Sequence, residues 1–315
     1  MTAAPTAAHR IDVHHHLFPP AYVAALAERQ LAQRPALDWS PGMALEDMDR
    51  AGIACAMTSI TAPGLAFLGG EPLRRMAREC NDYAADLARA HPTRFGVFAM
   101  LPLPDVDASL AEIAYAFDTL RVDGIGLLTS YHNRWLGDPA FAPVMDELDR
   151  RGALAYVHPT APDCCRNLIA SVPDWVIEFP ADTMRTITSL LFSGTVRRCP
   201  RIRFIFSHTG GILTILRDHL VRAASVNPSL AAALPDGVIE TLHRFHYDTA
   251  LRAHREALDA AVTTLGVERL LLGTDAPFRK CSAQIESLLA YGFGAHALHA
   301  IERGNAERLM PRWRM

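Results

Sequence analysis

The 315-residue chain is 50% hydrophobic and 21% charged, a composition that buries a large core and excludes general disorder. Its 31 Lys and Arg against 34 Asp and Glu leave a net charge of −3, too nearly balanced for electrostatic capture of nucleic acid or an anionic membrane. The length excludes a mini-protein and suits either a (β/α)₈ barrel of ~250 residues or two domains of ~150 residues each.

The opening MTAAPTAAHR lacks the basic start and apolar stretch of a signal peptide, and no charge-free apolar segment reaches ~18 residues. Both features predict a soluble, cytoplasmic protein. Residues 10–16 (RIDVHHH) then read as the first of eight short β-branched or apolar runs, followed by 53–60, 94–101, 124–130, 154–160, 203–210, 245–250 and 270–277. Between them, 45–52, 72–92, 108–120, 141–152 and 254–266 carry apolar residues three or four apart, the spacing of amphipathic helices. Strand and helix text in alternation predicts a parallel sheet. Eight such units predict an α/β fold, a (β/α)₈ TIM barrel forming one domain over 1–315. Residues 18–42 are expected as an insertion after the first strand that covers the site, and 278–315 as C-terminal helices.

Strands buried on both faces should be nearly all apolar, yet several of these end in His or Asp. Asp12, His14 and His16 lie on the first, His158 on the fifth, His208 on the sixth, Asp248 on the seventh and Asp275 on the eighth. Barrels of this kind gather functional groups at the carboxyl ends of their strands. Alternation sends His14 and His16 to one face and His15 to the other. Two imidazoles ~7 Å apart can clasp one cation where a strand end bends. His158 supplies a third nitrogen, and Asp275 an oxygen from a strand that neighbours the first in a closed barrel. The set predicts one divalent metal ion held by three histidines and an aspartate, with Zn²⁺ favoured and Mn²⁺ or Fe²⁺ admitted.

Plainer readings compete at each position. A His triplet is often an exposed loop, His208 could be a core histidine beside a Gly-Gly turn, and Asp275 a helix N-cap. Asp248 reads as readily structural as catalytic, and His15, His132, His243, His246 and His254 as surface or packing residues. The six cysteines include no C-x-x-C pair, in keeping with a reducing compartment, and the adjacent Cys164 and Cys165 are poorly placed to bridge across a fold.

Five motifs occur in order: D-x-H-x-H (Asp12, His14, His16), Y-V-H-P (Tyr156 to Pro159), S-H-T-G-G (Ser207 to Gly211), Y-D-T-A (Tyr247 to Ala250) and G-T-D-A-P (Gly273 to Pro277). Together they resemble the amidohydrolase superfamily over essentially the whole chain. The branch is the one that contains aminocarboxymuconate semialdehyde, γ-resorcylate and 6-methylsalicylate decarboxylases. The resemblance implies His14, His16, His158 and Asp275 as metal ligands, His208 as a catalytic residue beside the metal, and a homodimer.

Segments 94–107, 136–144, 178–186 and 193–200 are most similar to the 6-methylsalicylate decarboxylase-like group. That similarity implies non-oxidative loss of CO₂ from a small aromatic carboxylate with an ortho-hydroxyl, Asp275 protonating the ring carbon. The alternative is a hydrolase or hydratase in which metal-activated water attacks a lactone, amide or unsaturated acid. Thr214 and His219 stand where the resemblance implies Pro and a carboxylate-binding Arg, which leaves Arg217, Arg222 or Arg185 as anchors. Phe18, Trp39 and Phe278 are candidate pocket walls.

Overall fold

The computed structural model describes residues 9–251 and 254–314; residues 1–8, most of the segment read for a signal peptide, lie outside them. Eight parallel strands follow one another in chain order: β1 (Arg10–His16), β2 (Ile53–Ser59), β3 (Phe95–Met100), β4 (Gly124–Leu128), β5 (Leu154–His158), β6 (Arg203–Phe206), β7 (His246–Asp248) and β8 (Leu270–Leu271). The two ends of the sheet meet. The Val13 N–H donates to the Leu272 carbonyl at 2.9 Å, that of Asp275 to His14 at 2.8 Å, and that of His16 to Ala276 at 2.8 Å. These bonds give the expected (β/α)₈ TIM barrel.

Three strands are regular over half or less of the span their sequence suggests. The sixth stops at Phe206 because His208 and Thr209 adopt φ of 54° and 52°, a left-handed conformation that a strand cannot hold. The eighth is regular only to Leu271, with Asp275 at φ 65°, although its bonding to β1 continues to Ala276. The seventh is confined to three residues.

Side chains from alternate strand positions fill the barrel interior: Ile11, Val13, Cys55, Met57, Phe98, Leu154, Tyr156, Ile205 and Leu271. Leu309, Met310 and Trp313 join this cluster, and the Trp313 indole N–H donates to Asp123 just before β4, so the C-terminal segment stoppers the amino end of the strands. The outer strand faces pack Phe95, Ile125, Val157, Phe204, Phe206 and Tyr247 against the surrounding helices. Fully burying each such side chain contributes ~1.5–3 kcal/mol.

The expected helices form, with small shifts of boundary. The one read from residue 45 spans Pro41–Arg50, since Ser40 caps it by accepting from the Met43 N–H and Pro41 suits its first position. Two helices that the sequence did not announce, Glu178–Phe192 and Leu213–Val226, follow β5 and β6 in the chain. The second leaves Ile215 and Val226 exposed, which blurs its apolar stripe. Within 18–42, short helices at Pro20–Glu28 and Arg34–Asp38 lay Tyr22, Leu26 and Ala36 against Leu73, Ala77 and Cys80 of the long helix Gly70–Ala90.

Candidate metal centre

At the carboxyl end of the barrel, β1 carries a break in register between Asp12 and His15. Plain alternation would put Asp12 on the same face as His14 and His16. The break instead returns Asp12 to the side of His15, whose Nδ1 lies 3.1 Å from its Oδ2. Asp12 also accepts from the Thr274 backbone N–H at 3.0 Å and its hydroxyl at 2.6 Å. The first residue of the D-x-H-x-H motif therefore fastens β1 to β8 and stands apart from the histidines that follow.

Those histidines converge with the other predicted ligands. His14, His16, His158 and Asp275 are all buried, and their ligand atoms lie within 4.8 Å of one another. His14 Nε2 and His16 Nε2 are 3.1 Å apart, and each is 3.1 Å from Asp275 Oδ1. The His158 ring centre is 5.2 Å from that of His14 and 4.9 Å from that of His16.

The opposite ring nitrogens are all engaged. His16 Nδ1 faces the Ser59 carbonyl at 3.3 Å and His158 Nδ1 the Pro159 carbonyl at 2.8 Å; a carbonyl only accepts, so both nitrogens must carry the proton. His14 Nδ1 donates to Asp248 Oδ2 at 2.9 Å. Three Nε2 atoms thus point into one small space. A divalent ion with bonds of ~2.1 Å at right angles separates adjacent donors by ~3.0 Å, close to the spacing observed, so the residues present fit such an ion.

The electrostatics agree. Burial lowers His16, and lowers His158 well below the usual imidazole range, which keeps both neutral and able to ligate. Burial also opposes a charge on His14, but Asp248 and Asp275 outweigh it and push that imidazole up to about 10. Burial would raise Asp248 and Asp275 in turn; His14 outweighs it, holding the first down and the second well below the usual carboxylate range. Two buried carboxylates with one imidazolium form a cage that demands positive charge, and a bound cation supplies it more fully than a proton.

Asp248, the weakest of the sequence candidates, proves central to this cage. Fully buried, it accepts from His14 Nδ1, from the backbone N–H of His208 at 3.0 Å and of Ala250 at 2.9 Å, and from the Tyr156 hydroxyl at 3.5 Å. Gly273 makes room for it: a Cβ there would lie 2.8 Å from Asp248 Cβ and 2.9 Å from His14 Cβ. His208 sits at the rim, its Nε2 3.9 Å from Asp275 Oδ2, on a left-handed turn closed by Gly211. At φ 68° that glycine presses against the Pro180 carbonyl, where a Cβ would come within 2.2 Å.

Aromatic rings border the cluster. Phe278, 37% exposed, lies 5.8 Å from the His16 ring and 6.1 Å from Phe18, and Phe179 lies 6.1 Å from His158. The Thr61 hydroxyl reaches to 3.5 Å from His158 Nε2. Phe179 and Thr61 carry no motif that marks them in the sequence. Trp39 is set back, with Phe18 at 6.3 Å and Tyr83 at 6.5 Å, and it lines a cavity of about 370 Å³ on the His15 side of β1. Arg185 pairs with Glu178 at 3.0 Å and Asp182 at 3.6 Å, and Arg217 with its neighbour Asp218.

Residues 11–312 match the family model described as Amidohydrolase. The chain belongs to the amidohydrolase family. Within it, the chain is 37% identical to decarboxylase yanB of Aspergillus niger, over 97% of this chain and 88% of that protein. It is 34% identical to the 6-methylsalicylic acid decarboxylase of Penicillium expansum, over 96% of each. The fold also matches the crystal structure of a dihydroxybenzoic acid decarboxylase from Polaromonas sp. JS666 with bound manganese and 2-nitroresorcinol. There the TM-score is 0.84 at 20% identity, over 98% of both chains.

Proposed function

We propose that this amidohydrolase is a metal-dependent, non-oxidative decarboxylase of a small aromatic acid bearing a hydroxyl ortho to its carboxylate. The observation that carries the reading is the convergence of three pinned imidazole nitrogens and the Asp275 carboxylate beside the Phe278 ring. The relatives' names supply the substrate class. His14, His16, His158 and Asp275 hold one divalent ion. Three nitrogens favour zinc, and the carboxylate equally suits manganese. Such an ion would supply a Lewis acid that stabilises negative charge as it develops on the substrate.

The chain's own groups handle the proton. Breaking the bond between ring and carboxyl leaves an electron pair on the ring carbon, which takes up a proton as CO₂ departs. Asp275, held ionised at rest, must first receive a proton from the substrate hydroxyl or solvent before delivering it to that carbon. His208, 3.9 Å from Asp275, positions the substrate and assists this transfer. Phe278, Phe18 and Phe179 exclude water and stack against the ring. Trp39 backs Phe18 behind this wall, and Arg185 keeps its pairs with Glu178 and Asp182.

The test is a product balance. Incubation with 6-methylsalicylate and other ortho-hydroxybenzoates should release one CO₂ per acid consumed, and the meta and para isomers almost none. Chelation should abolish release, and zinc or manganese restore it. Consumption of a lactone or unsaturated acid without CO₂, alongside inert salicylates, overturns the reading.

The exposed apolar side chains Leu168, Ile169, Trp175 (56%), Ile177 and Ile215 (73%) support a homodimer that covers them. Light scattering should give twice the chain mass, and Trp175→Glu combined with Ile215→Glu should give a monomer; a monomeric wild type contradicts it. The six free cysteines suit a reducing cytoplasm.

A further inference from the structure

Four of the six cysteines, Cys55, Cys80, Cys199 and Cys281, are buried, and burial pushes each thiol up, that of Cys55 to about 12. Such thiols are inert. Cys164 and Cys165 are placed differently. They sit on the single turn Asp163–Cys165 that follows β5, Cys164 exposed and Cys165 half-buried, with their sulfurs 2.8 Å apart. The turn is well fixed: the Cys164 N–H donates to Asn133 Oδ1 at 2.8 Å and the Cys165 N–H to the Pro162 carbonyl at 3.0 Å. Arg166 stays beside them, its Nη2 3.3 Å from Asp163 and its Nε donating to the Ala161 carbonyl.

The two sulfurs are not equivalent. The hydrogen bond with Cys164 pushes Cys165 up to about 11, whereas Cys164 is the sulfur that faces solvent and meets an oxidant first. One sulfur is set to attack and the other to resolve.

We propose that Cys164 and Cys165 form a reversible oxidation site that a peroxide-class oxidant closes to a vicinal disulfide. Cys164 sulfur attacks a peroxide oxygen, the O–O bond breaks, and Cys164 becomes a sulfenic acid as the first water forms. Cys165 sulfur then attacks Cys164 sulfur, its S–H bond breaks, the S–O bond breaks, and a second water leaves. Two thiols and one hydrogen peroxide give one disulfide and two waters. Adjacent Cα atoms lie about 3.8 Å apart, below the roughly 4.4–6.8 Å that disulfides prefer, so the bond is strained and a mild thiol reopens it. Pro162, Asp163 and Arg166, on either side of the pair, line a small cavity with Thr160 and Ala161, so closure acts on the wall of that cavity.

The full chain, reduced and freed of reductant, would be treated with about two equivalents of hydrogen peroxide, quenched, and read by intact mass and thiol titration. The expected result is loss of about 2 Da together with the two fast-reacting thiols, mapped by digestion to the peptide holding both cysteines and reversed by dithiothreitol. In Cys165→Ser the closure should be absent, and a dimedone adduct should instead trap Cys164. Unchanged mass, stable oxygen adducts without closure, a disulfide between chains, or the same 2 Da loss in Cys165→Ser would each overturn the proposal.

Discussion

Asp275→Asn should lower the rate of CO₂ release by at least about 10³-fold at saturating metal. The substitution preserves shape and leaves an amide oxygen where Oδ1 lies 3.1 Å from both His14 and His16. It removes a negative charge from the cage, and with it the carboxylate proposed to carry the proton to the ring. Both losses act on the reaction more than on the fold, because Asp275 is a strand-end residue whose backbone bond to the His14 carbonyl is untouched. Single-turnover measurement with metal in excess separates chemistry from binding. A variant that keeps a tenth or more of the wild-type rate would remove Asp275 from the proton path.

Asp248→Ala should act on the metal itself. It leaves His14 without the partner that fixes its ring, and strands the Tyr156 hydroxyl and the His208 and Ala250 N–H groups in a buried space. Loss of such a support typically weakens metal binding ~10–100-fold. Breaking one side of a buried pair costs about 3–5 kcal/mol. Excess metal should therefore restore much of the activity, which it would not do for Asp275→Asn. The metal-free protein offers a second readout. His14, raised from 6.5 to about 10, contributes stability that is complete below pH 6.5 and is lost as pH rises through about 10. The melting temperature of chelated wild type should fall across that window, and that of Asp248→Ala much less. Wild-type metal affinity in Asp248→Ala would contradict the role given to this residue.

Much of this centre is legible in the sequence, because a barrel whose strands are buried on both faces makes every polar residue in them conspicuous. His14, His16, His158 and Asp275 stand out on that ground alone, and strand order brings the first and eighth together. Asp12 misleads because the rule of alternation assumes an unbroken strand, and the break in register after it leaves no mark in RIDVHHH. Asp248 is undervalued for a different reason. Its importance lies in four partners drawn from β1, β5, the β6 turn and its own strand end, none predictable from a lone aspartate in FHYDTA. Arg185 is paired with Glu178 and Asp182, contacts that the sequence does not single out. Phe179 and Thr61 arrive through the packing of loops and helices, for which short-range sequence has no signal.

The central claim is that one divalent ion, gripped by His14, His16, His158 and Asp275, makes the chain a decarboxylase. Elemental analysis of purified protein beside a His158→Ala variant, each assayed for CO₂ release from the same salicylate, tests it most directly. About one divalent ion per chain in the wild type, with both metal and CO₂ release lost in the variant while the fold is retained, is the predicted result. Full CO₂ release from metal-free wild type, or from a His158→Ala protein that no longer binds metal, would contradict it.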